Sequence, residues 1–184
     1  MTRIEHSTLV ADVVLVHLQS HPDDRGRFLE TYRRDWFPDT PPMVQGNRSD
    51  SHRRVLRGLH YHRRQADYWY VPSGRLFVVL HDLRTGSSTS GATQTVEMGR
   101  GAEVGLYIPP GVAHGFQALE DATLTYLVDR SYDPDDELGL AWDDPAVGAG
   151  WPLDDPILSD RDRSNPQRAA IAPGLLPQPA PRPG

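Results

Sequence analysis

The chain has 184 residues with a formal net charge of −6, and 38% of its residues are hydrophobic. This length is enough for one domain with a hydrophobic core. No apolar run approaches the roughly 20 residues that cross a bilayer as a helix. The acidic balance also lacks the basic excess of a nucleic-acid-binding surface. We therefore expect neither a membrane nor a nucleic-acid partner.

Short segments rich in Val, Leu, Tyr and Thr dominate the chain and predict strands. Clusters of glycine, proline and aspartate separate them, such as HPDDRG, PSGR, RTGSSTSG and DPDDE. In chain order, the predicted strands cover residues 10–18, 28–32, 55–62, 68–71, 76–83, 93–98, 103–108, 115–119 and 123–129. Many short strands at regular spacing predict an all-β barrel or sandwich.

Helical segments are few. A short helix is expected over residues 32–37, and single turns are expected near Pro145 and Asp160. The last thirteen residues, APGLLPQPAPRPG, contain five prolines and cannot pair as strands or sustain a helix. We therefore expect one domain over residues 1–165 and a proline-rich tail over residues 166–184, with its end disordered or draped over the surface.

The chain has no cysteine, which excludes disulfides, thiolate catalysis and cysteine metal ligands. It therefore fits a reducing compartment. The N-terminal residues MTRIEHSTLV lack the basic and apolar regions of a secretory signal, so we expect a cytoplasmic protein. Arginine greatly outnumbers lysine, and arginine binds phosphates well in bidentate geometry.

Two segments about fifty residues apart carry histidines beside glycine, namely RGLHYH at residues 57–62 and IPPGVAHGF at residues 108–116. Side chains alternate faces along a strand, so His60 and His62 should point the same way. If His114 lies on a neighbouring strand, three imidazoles line one cavity. Such a cavity suits either proton transfer or a metal ion.

Six segments, in this order, carry a resemblance to a known family: DDRGRFLE, VQGNRSDSHRRVLRGLHYH, VPSGRLFVVLHDLRTGS, LYIPPGVAHGFQAL, YLVDRSYDPDDELGLAWDDPAVGAGWP and ILSDRD. Together they cover roughly residues 8 to 165, and the chain resembles the dTDP-4-dehydrorhamnose 3,5-epimerases. The resemblance implies a cupin-type jelly-roll β-barrel with a few short peripheral helices. It also implies a homodimer that exchanges strands between subunits.

The family's reaction, which serves rhamnose and other deoxysugar biosynthesis, epimerises a nucleotide-linked 4-keto-6-deoxyhexose at C3, or at C3 and C5. A proton next to a ketone is only weakly acidic, so the reaction needs a base, a donor for the enolate oxygen and an acid on the opposite ring face. The resemblance implies that His60 is the base, that Asp162 orients it and that Tyr126 is the acid. It implies no cofactor and no metal.

The resemblance also implies a nucleotide-sugar substrate, dTDP-linked, and a set of residues that bind it. Arg25 and Arg57 match arginines that meet the diphosphate, where a guanidinium fork suits oxyanions. The remaining matches are polar or aromatic residues near the base or sugar, namely Phe28, Glu30, Gln45, Asn47, His114, Tyr132 and Glu137.

One position departs from the family pattern. The family has a lysine that helps to hold the enolate oxygen, and Asp67 stands there in this chain. At ~4 Å and an effective dielectric constant of about 20, a like-charge pair costs about 4 kcal/mol, or close to three decades in rate. Another donor would then be needed, and the candidates are a protonated His114, Arg63, Arg64, Tyr68 and Tyr70.

The same departure supports a second hypothesis. The residues His60, His62, Asp67 and His114 resemble the metal-binding pattern of other cupins, which would make the chain a metal-dependent oxygenase or isomerase. A third hypothesis is a relative that binds a sugar nucleotide without turning it over. The sequence leaves these alternatives open, together with the sugar, the base and the carbon that is epimerised.

Overall fold

Thirteen β-strands dominate residues 1–179, the part of the chain that the computed structural model describes. They are β1 (Arg3–His6), β2 (Val14–His17), β3 (His21–Asp23), β4 (Gly26–Phe28), β5 (Gln45–Ser51), β6 (Leu56–Tyr61), β7 (Asp67–Ser73), β8 (Arg75–Asp82), β9 (Thr93–Gly99), β10 (Val104–Ile108), β11 (Val112–Ala118), β12 (Ala122–Val128) and β13 (Leu138–Gly139).

The strands form two antiparallel sheets that face each other as a jelly-roll barrel. One sheet has six strands in the order β1-β2-β10-β7-β12-β5, and the other has five in the order β13-β6-β11-β8-β9. Strands β3 and β4 form a separate hairpin. The expected all-β jelly roll is therefore confirmed.

The main hydrophobic core lies between the two sheets. Trp69 and Leu106 from the six-stranded sheet pack in one cluster with Val78 and Phe116 from the five-stranded sheet. Along β8, Leu76, Val78 and Leu80 point into this core, while Val79 packs in a second cluster on the other side of the sheet, as the alternation of side chains along a strand requires. This packing fixes the separation of the sheets, and the cavity described below opens between them.

Helices are short and peripheral, as expected. They comprise one α-helix, α1 (Asp160–Ser164), and the 3₁₀ turns Arg34–Trp36, Pro134–Asp136, Arg168–Ala170 and Pro173–Leu175. The turns near residues 34 and 160 fall where the sequence predicts them, whereas Pro145 lies in a turn without helix. Among residues 1–179, no helix is long and apolar enough to cross a membrane.

Strand β5 was missed by the sequence analysis because it carries no hydrophobic residue. Its sequence QGNRSDS pairs with β12 over its whole length, from Gln45 opposite Val128 to Ser51 opposite Ala122. Alternate residues are still partly or fully shielded, so the period of two is present in polar side chains. This polar edge strand lies beside the candidate site.

The strand predicted over residues 28–32 is wrong beyond its first residue. Strand β4 ends at Phe28, and Leu29 and Tyr32 pack instead against the aromatic cluster around Phe37 and Tyr68 without joining a sheet. These apolar residues are partly buried, and by side-chain packing alone. The short strands β1, β3 and β13 were also not predicted.

The described part of the C-terminal tail lies on the barrel surface. Pro177 is buried, and its carbonyl accepts a hydrogen bond of 2.9 Å from the backbone N–H of Thr85. Gly111 lies close by, where a β-carbon would come within 2.8 Å of Pro177. Residues up to 179 are thus draped over one end of the barrel, and the predicted tail residues 180–184 lie outside the described part of the chain.

Candidate active site

A cavity of about 260 Å³ opens between the two sheets. Its walls are formed by strands β6 and β11 on one side and by β5, β7 and β12 on the other. The lining residues are Ser49, Arg57, His60, His62, Gln65, Asp67, Trp69, His114, Phe116, Leu124, Tyr126, Glu137 and Arg161. The three predicted imidazoles therefore share one cavity.

Two glycines bring β6 and β11 close together at this cavity. Gly58 has φ of +119°, and a β-carbon there would lie 2.7 Å from the α-carbon of Gly115. Any larger residue would force the two backbones apart, which would disturb the register that sets His60 opposite His114. The glycine in RGLH is thus required by the packing that positions the histidine after it.

His60 forms an ion-pair-like hydrogen bond with Asp162. Its Nε2–H donates to Asp162 Oδ1 at 2.7 Å. Ser159 caps helix α1, its Oγ–H donating to Asp162 Oδ2 at 2.9 Å, so the carboxylate is fixed from a second side. Burial raises the pKa of Asp162, but the hydrogen bonds from His60 and Ser159 outweigh it and hold that pKa below its ordinary value. The carboxylate is therefore ionised at neutral pH.

Tyr126 faces the cavity from β12, in the sheet opposite to the one that carries His60. Burial raises the pKa of its phenol, and the nearby carboxylates of Asp67 and Glu137 raise it further, against a smaller effect of Arg57. The phenol therefore carries its proton at neutral pH. An imidazole and a protonated phenol thus lie on opposite walls of the cavity.

His62, Asp67 and His114 form a buried cluster in the same cavity. The Nε2 atom of His114 lies 3.9 Å from Asp67 Oδ2, and the rings of His62 and His114 have centroids 5.6 Å apart. Burial lowers the pKa of His114 to about 4, so its imidazole is neutral at neutral pH. The protonated His114 considered as an enolate donor does not fit this environment.

The other candidate donors point away from the cavity. Arg63 Nη2 donates to the carbonyl of Asp135 at 3.2 Å, and Arg64 Nη2 donates to Asp133 Oδ2 at 2.6 Å. The hydroxyl of Tyr68 donates to the carbonyl of Thr31 at 2.7 Å. Tyr70 likewise contacts Glu103. None of the four candidates lines the cavity.

Charged side chains surround the cavity entrance. Arg57 Nε donates to the hydroxyl of Ser51 at 3.1 Å. Arg161 Nη1 donates to Glu137 Oε2 at 2.9 Å, while Glu137 Oε1 lies 3.6 Å from His62 Nε2. Burial raises the pKa of Glu137, but Arg161 and the neighbouring histidines hold it below its ordinary value. Arg57 thus donates to a neutral hydroxyl and can also bind an anionic ligand, whereas Arg161 is already paired with Glu137.

Several predicted binding residues lie outside this cavity. Arg25 pairs with Asp23 in the β3–β4 hairpin, with 90% of its side chain exposed, and Phe28 is 67% exposed. Glu30 pairs with Arg33 on the surface. In the described chain, these residues do not come together with His60.

A second group of predicted residues lies along the β5 edge. The side-chain amide of Gln45 donates to Asn47 Oδ1 at 2.9 Å, and Tyr132 donates its backbone N–H to Gln45 Oε1 at 3.4 Å. Asn47 is directly opposite Tyr126 in the register of β5 and β12. Residues opposite each other in an antiparallel pair share a face of the sheet, so Asn47 lies on the cavity side.

Six lining residues were not predicted as site residues, namely Ser49, Gln65, Trp69, Phe116, Leu124 and Arg161. Arg161 could have been predicted, because it precedes Asp162 in the segment ILSDRD that carries the resemblance. The alternation along β5 would have placed Ser49 with Asn47 had that strand been predicted. Gln65 and Trp69 flank Asp67, and each donates a hydrogen bond to its carboxylate.

Comparison with known proteins shows which family the chain matches. Residues 7–169 match the family model described as dTDP-4-dehydrorhamnose 3,5-epimerase. A Neisseria gonorrhoeae protein named dTDP-4-dehydrorhamnose 3,5-epimerase is 41% identical over 162 residues, which cover 84% of this chain and 49% of that protein. The chain thus spans about half the length of that relative.

Two further proteins match along nearly their whole length. The spore coat polysaccharide biosynthesis protein SpsL of Bacillus subtilis is 40% identical over 147 residues, covering 78% of this chain and 97% of SpsL. The crystal structure of RmlC from Legionella pneumophila, described as dTDP-6-deoxy-D-glucose-3,5-epimerase in complex with dTDP-4-keto-L-rhamnose, is 30% identical with a TM-score of 0.91. That match covers 98% of this chain and 100% of the RmlC chain.

Proposed function

Since the chain belongs to the dTDP-4-dehydrorhamnose 3,5-epimerase family, we propose that it epimerises a dTDP-linked 4-keto-6-deoxyhexose at C3, or at C3 and C5. The chain is an isomerase of deoxysugar biosynthesis in this proposal. The observation that carries it is the hydrogen bond of 2.7 Å between His60 and Asp162 in a cavity that Tyr126 faces from the opposite sheet. The predicted cytoplasmic location remains part of the proposal.

His60 is the proposed base. A carboxylate only accepts hydrogen bonds, so the contact with Asp162 requires the proton of a neutral His60 on Nε2 and leaves Nδ1 with the lone pair. Nδ1 takes the proton from the carbon next to the C4 ketone. The electron pair of that C–H bond becomes part of the C3–C4 double bond, and the ketone oxygen becomes an enolate. Asp162 stabilises the imidazolium that results.

Tyr126 is the proposed acid. It gives its phenolic proton to the same carbon from the opposite face of the sugar ring, so the configuration inverts as the ketone reforms. His60 then holds one proton too many and Tyr126 one too few, and exchange with solvent restores both. The raised pKa of Tyr126 keeps the phenol protonated until the enolate is present.

Deuterium exchange tests the proposal. The enzyme is incubated in D₂O with a dTDP-4-keto-6-deoxyglucose substrate, and proton NMR follows the signals of H3 and H5. We expect loss of the H3 signal, with loss of H5 as well if both carbons react. Binding of the substrate without exchange at either carbon would contradict the proposal and support a non-catalytic relative.

We also propose a homodimer in which the β3–β4 hairpin completes the site of a second copy. Arg25 and Phe28 match substrate-binding positions of the family, yet they project into solvent on this chain. Strand β5 also leaves one edge of the six-stranded sheet unpaired in the described chain. An unpaired sheet edge and an exposed aromatic side chain each favour contact with another chain.

A heterodimer with one defect in each chain tests this arrangement. One chain carries Arg25→Ala and the other His60→Gln, and two different affinity tags allow the mixed dimer to be purified. If Arg25 acts in the neighbouring site, one of the two sites is intact and the heterodimer keeps about half of the wild-type kcat. A heterodimer as inactive as its parents, or a monomer in sedimentation, would contradict the proposal.

A further inference from the structure

Three buried side chains with metal-binding atoms meet at the inner part of the cavity. His62 follows β6, His114 lies on β11, and Asp67 begins β7 in the opposite sheet. Their side chains are almost completely buried, and one donor atom from each lies within 4.8 Å of the others. Residues from both sheets therefore converge on one point.

Both imidazoles are oriented by backbone carbonyls. The Nδ1–H of His62 donates to the carbonyl of Asp136 at 2.8 Å, and the Nδ1–H of His114 donates to the carbonyl of Val112 at 3.0 Å. A carbonyl only accepts, so in each neutral ring Nε2 keeps its lone pair. Metal-binding histidines are held in this way, with the second ring nitrogen bonded to a carbonyl or carboxylate.

The carboxylate of Asp67 is buried without a cationic partner among residues 1–179. Its hydrogen-bond donors are neutral, the amide of Gln65 at 2.9 Å and the indole of Trp69 at 3.1 Å. His114 is the one basic side chain within 4.0 Å of it in that part of the chain. A buried carboxylate is costly unless a positive charge compensates it.

The chemistry of the proposed reaction needs positive charge at the same place. The enolate oxygen develops negative charge in this cavity, and the carboxylate of Asp67 alone would repel it. All 19 basic residues of the chain other than histidine are arginines, so no lysine is available to stabilise the enolate. Of the two lining arginines, Arg161 is paired with Glu137, and Arg57 matches the family arginine that meets the diphosphate.

We propose that His62, Asp67 and His114 bind one divalent transition-metal ion whose open coordination positions face the cavity. Two histidines and one carboxylate are a ligand set for such ions and leave positions for exogenous ligands. This inference rests on the proposed function, because the ion then takes the C4 oxygen of the substrate and stabilises the enolate as a Lewis acid.

The proposed ion and the proposed base do not compete for the same nitrogen. His60 lies in the same cavity, but its Nε2 is bonded to Asp162 and it is not one of the three clustered residues. The sequence alone assigned His60 to both roles in turn. In this proposal, one side chain removes the proton while three others hold the ion.

Titration with Co²⁺ tests the proposal. The purified full-length protein is stripped with a chelator, and binding of Co²⁺ is followed by calorimetry and by the visible absorption that coordinated Co²⁺ gains. We expect one Co²⁺ per chain. His62→Gln and Asp67→Asn should each weaken binding by more than about 100-fold, beyond the losses that changes in outer-shell residues cause.

Two variants serve as controls. His60→Gln should bind Co²⁺ like the wild type, because His60 is outside the cluster. His52→Gln tests for surface binding, since the side chain of His52 is 90% exposed. Circular dichroism confirms that each variant is folded. Absence of stoichiometric Co²⁺ binding, or equal binding in the wild type and in His62→Gln and Asp67→Asn, would overturn the proposal.

The failure of this inference differs from that of the proposed function. Deuterium exchange that persists in chelator-stripped protein, without any Co²⁺ site, overturns the metal proposal and leaves the epimerase intact. One Co²⁺ bound through the cluster without exchange in the loaded protein supports the metal site and contradicts the epimerase. Restoration of exchange by Co²⁺ in stripped protein supports both.

Discussion

Replacing His60 with glutamine should lower kcat for epimerisation by about three orders of magnitude, the range that a general base contributes. The glutamine amide can still donate a hydrogen bond to Asp162, so the buried carboxylate keeps a partner. It cannot accept a proton at neutral pH. The variant therefore removes the proposed chemistry while it preserves the local structure.

The loss should appear in deuterium exchange as well as in turnover, while the affinity for dTDP stays nearly the same because His60 removes a proton and does not bind the nucleotide. Exchange is measured by NMR and dTDP affinity by calorimetry. His52→Gln makes the same chemical change on the surface and should leave both quantities unchanged. If His60→Gln kept more than about a tenth of the wild-type exchange rate, His60 would not be the base.

The strands that could be predicted from the sequence are those with apolar residues on one face. Strand β8 (Arg75–Asp82), for example, buries Leu76 and Val78 and lies where its pattern indicates. Strand β5 could not be predicted in this way, since its stability comes from the backbone ladder with β12 and not from apolar burial. The spacing of apolar residues in a single sequence indicates which side chains are buried. A polar edge strand buries few apolar side chains, so this spacing does not reveal it.

For the site too, the features that follow from local alternation could be predicted and those that depend on the packing of the sheets could not. Alternation along β6 placed His60 and His62 on one face, and the structure confirms that both line the cavity while Tyr61 packs on the other side. The contact of Asp67 with His114 depends on how the two sheets face each other. That arrangement is a product of core packing over many residues and leaves no local sequence signal.

The buried pair of Asp82 and Arg84 should be the most sensitive point of the barrel's stability. Both side chains are fully buried, and Arg84 Nε donates to Asp82 Oδ1 at 2.9 Å. Ser87 and Thr89 donate to Oδ2 at 2.6 and 2.7 Å, while Arg84 Nη1 donates to Asp12 at 2.8 Å. This network ties the turn after β8 to the loop before β2.

Asp82→Ala should lower the free energy of unfolding by about 3–5 kcal/mol, because it leaves the charge of Arg84 buried with one exposed partner. The midpoint of thermal unfolding should fall by roughly 10 °C. Urea unfolding followed by tryptophan fluorescence, at fixed protein concentration, measures the free energy.

Asp50 offers a matched control, since it pairs with Arg48 two residues away in the same spacing but in solvent. Asp50→Ala should leave stability nearly unchanged. A midpoint for Asp82→Ala equal to that of Asp50→Ala would contradict this expectation.

The double variant Asp82→Ala with Arg84→Met should regain much of the lost stability, because no uncompensated charge then stays buried and an apolar side chain fills the space. Failure to regain it would assign the effect to the lost hydrogen bonds of Ser87 and Thr89 instead of the stranded guanidinium.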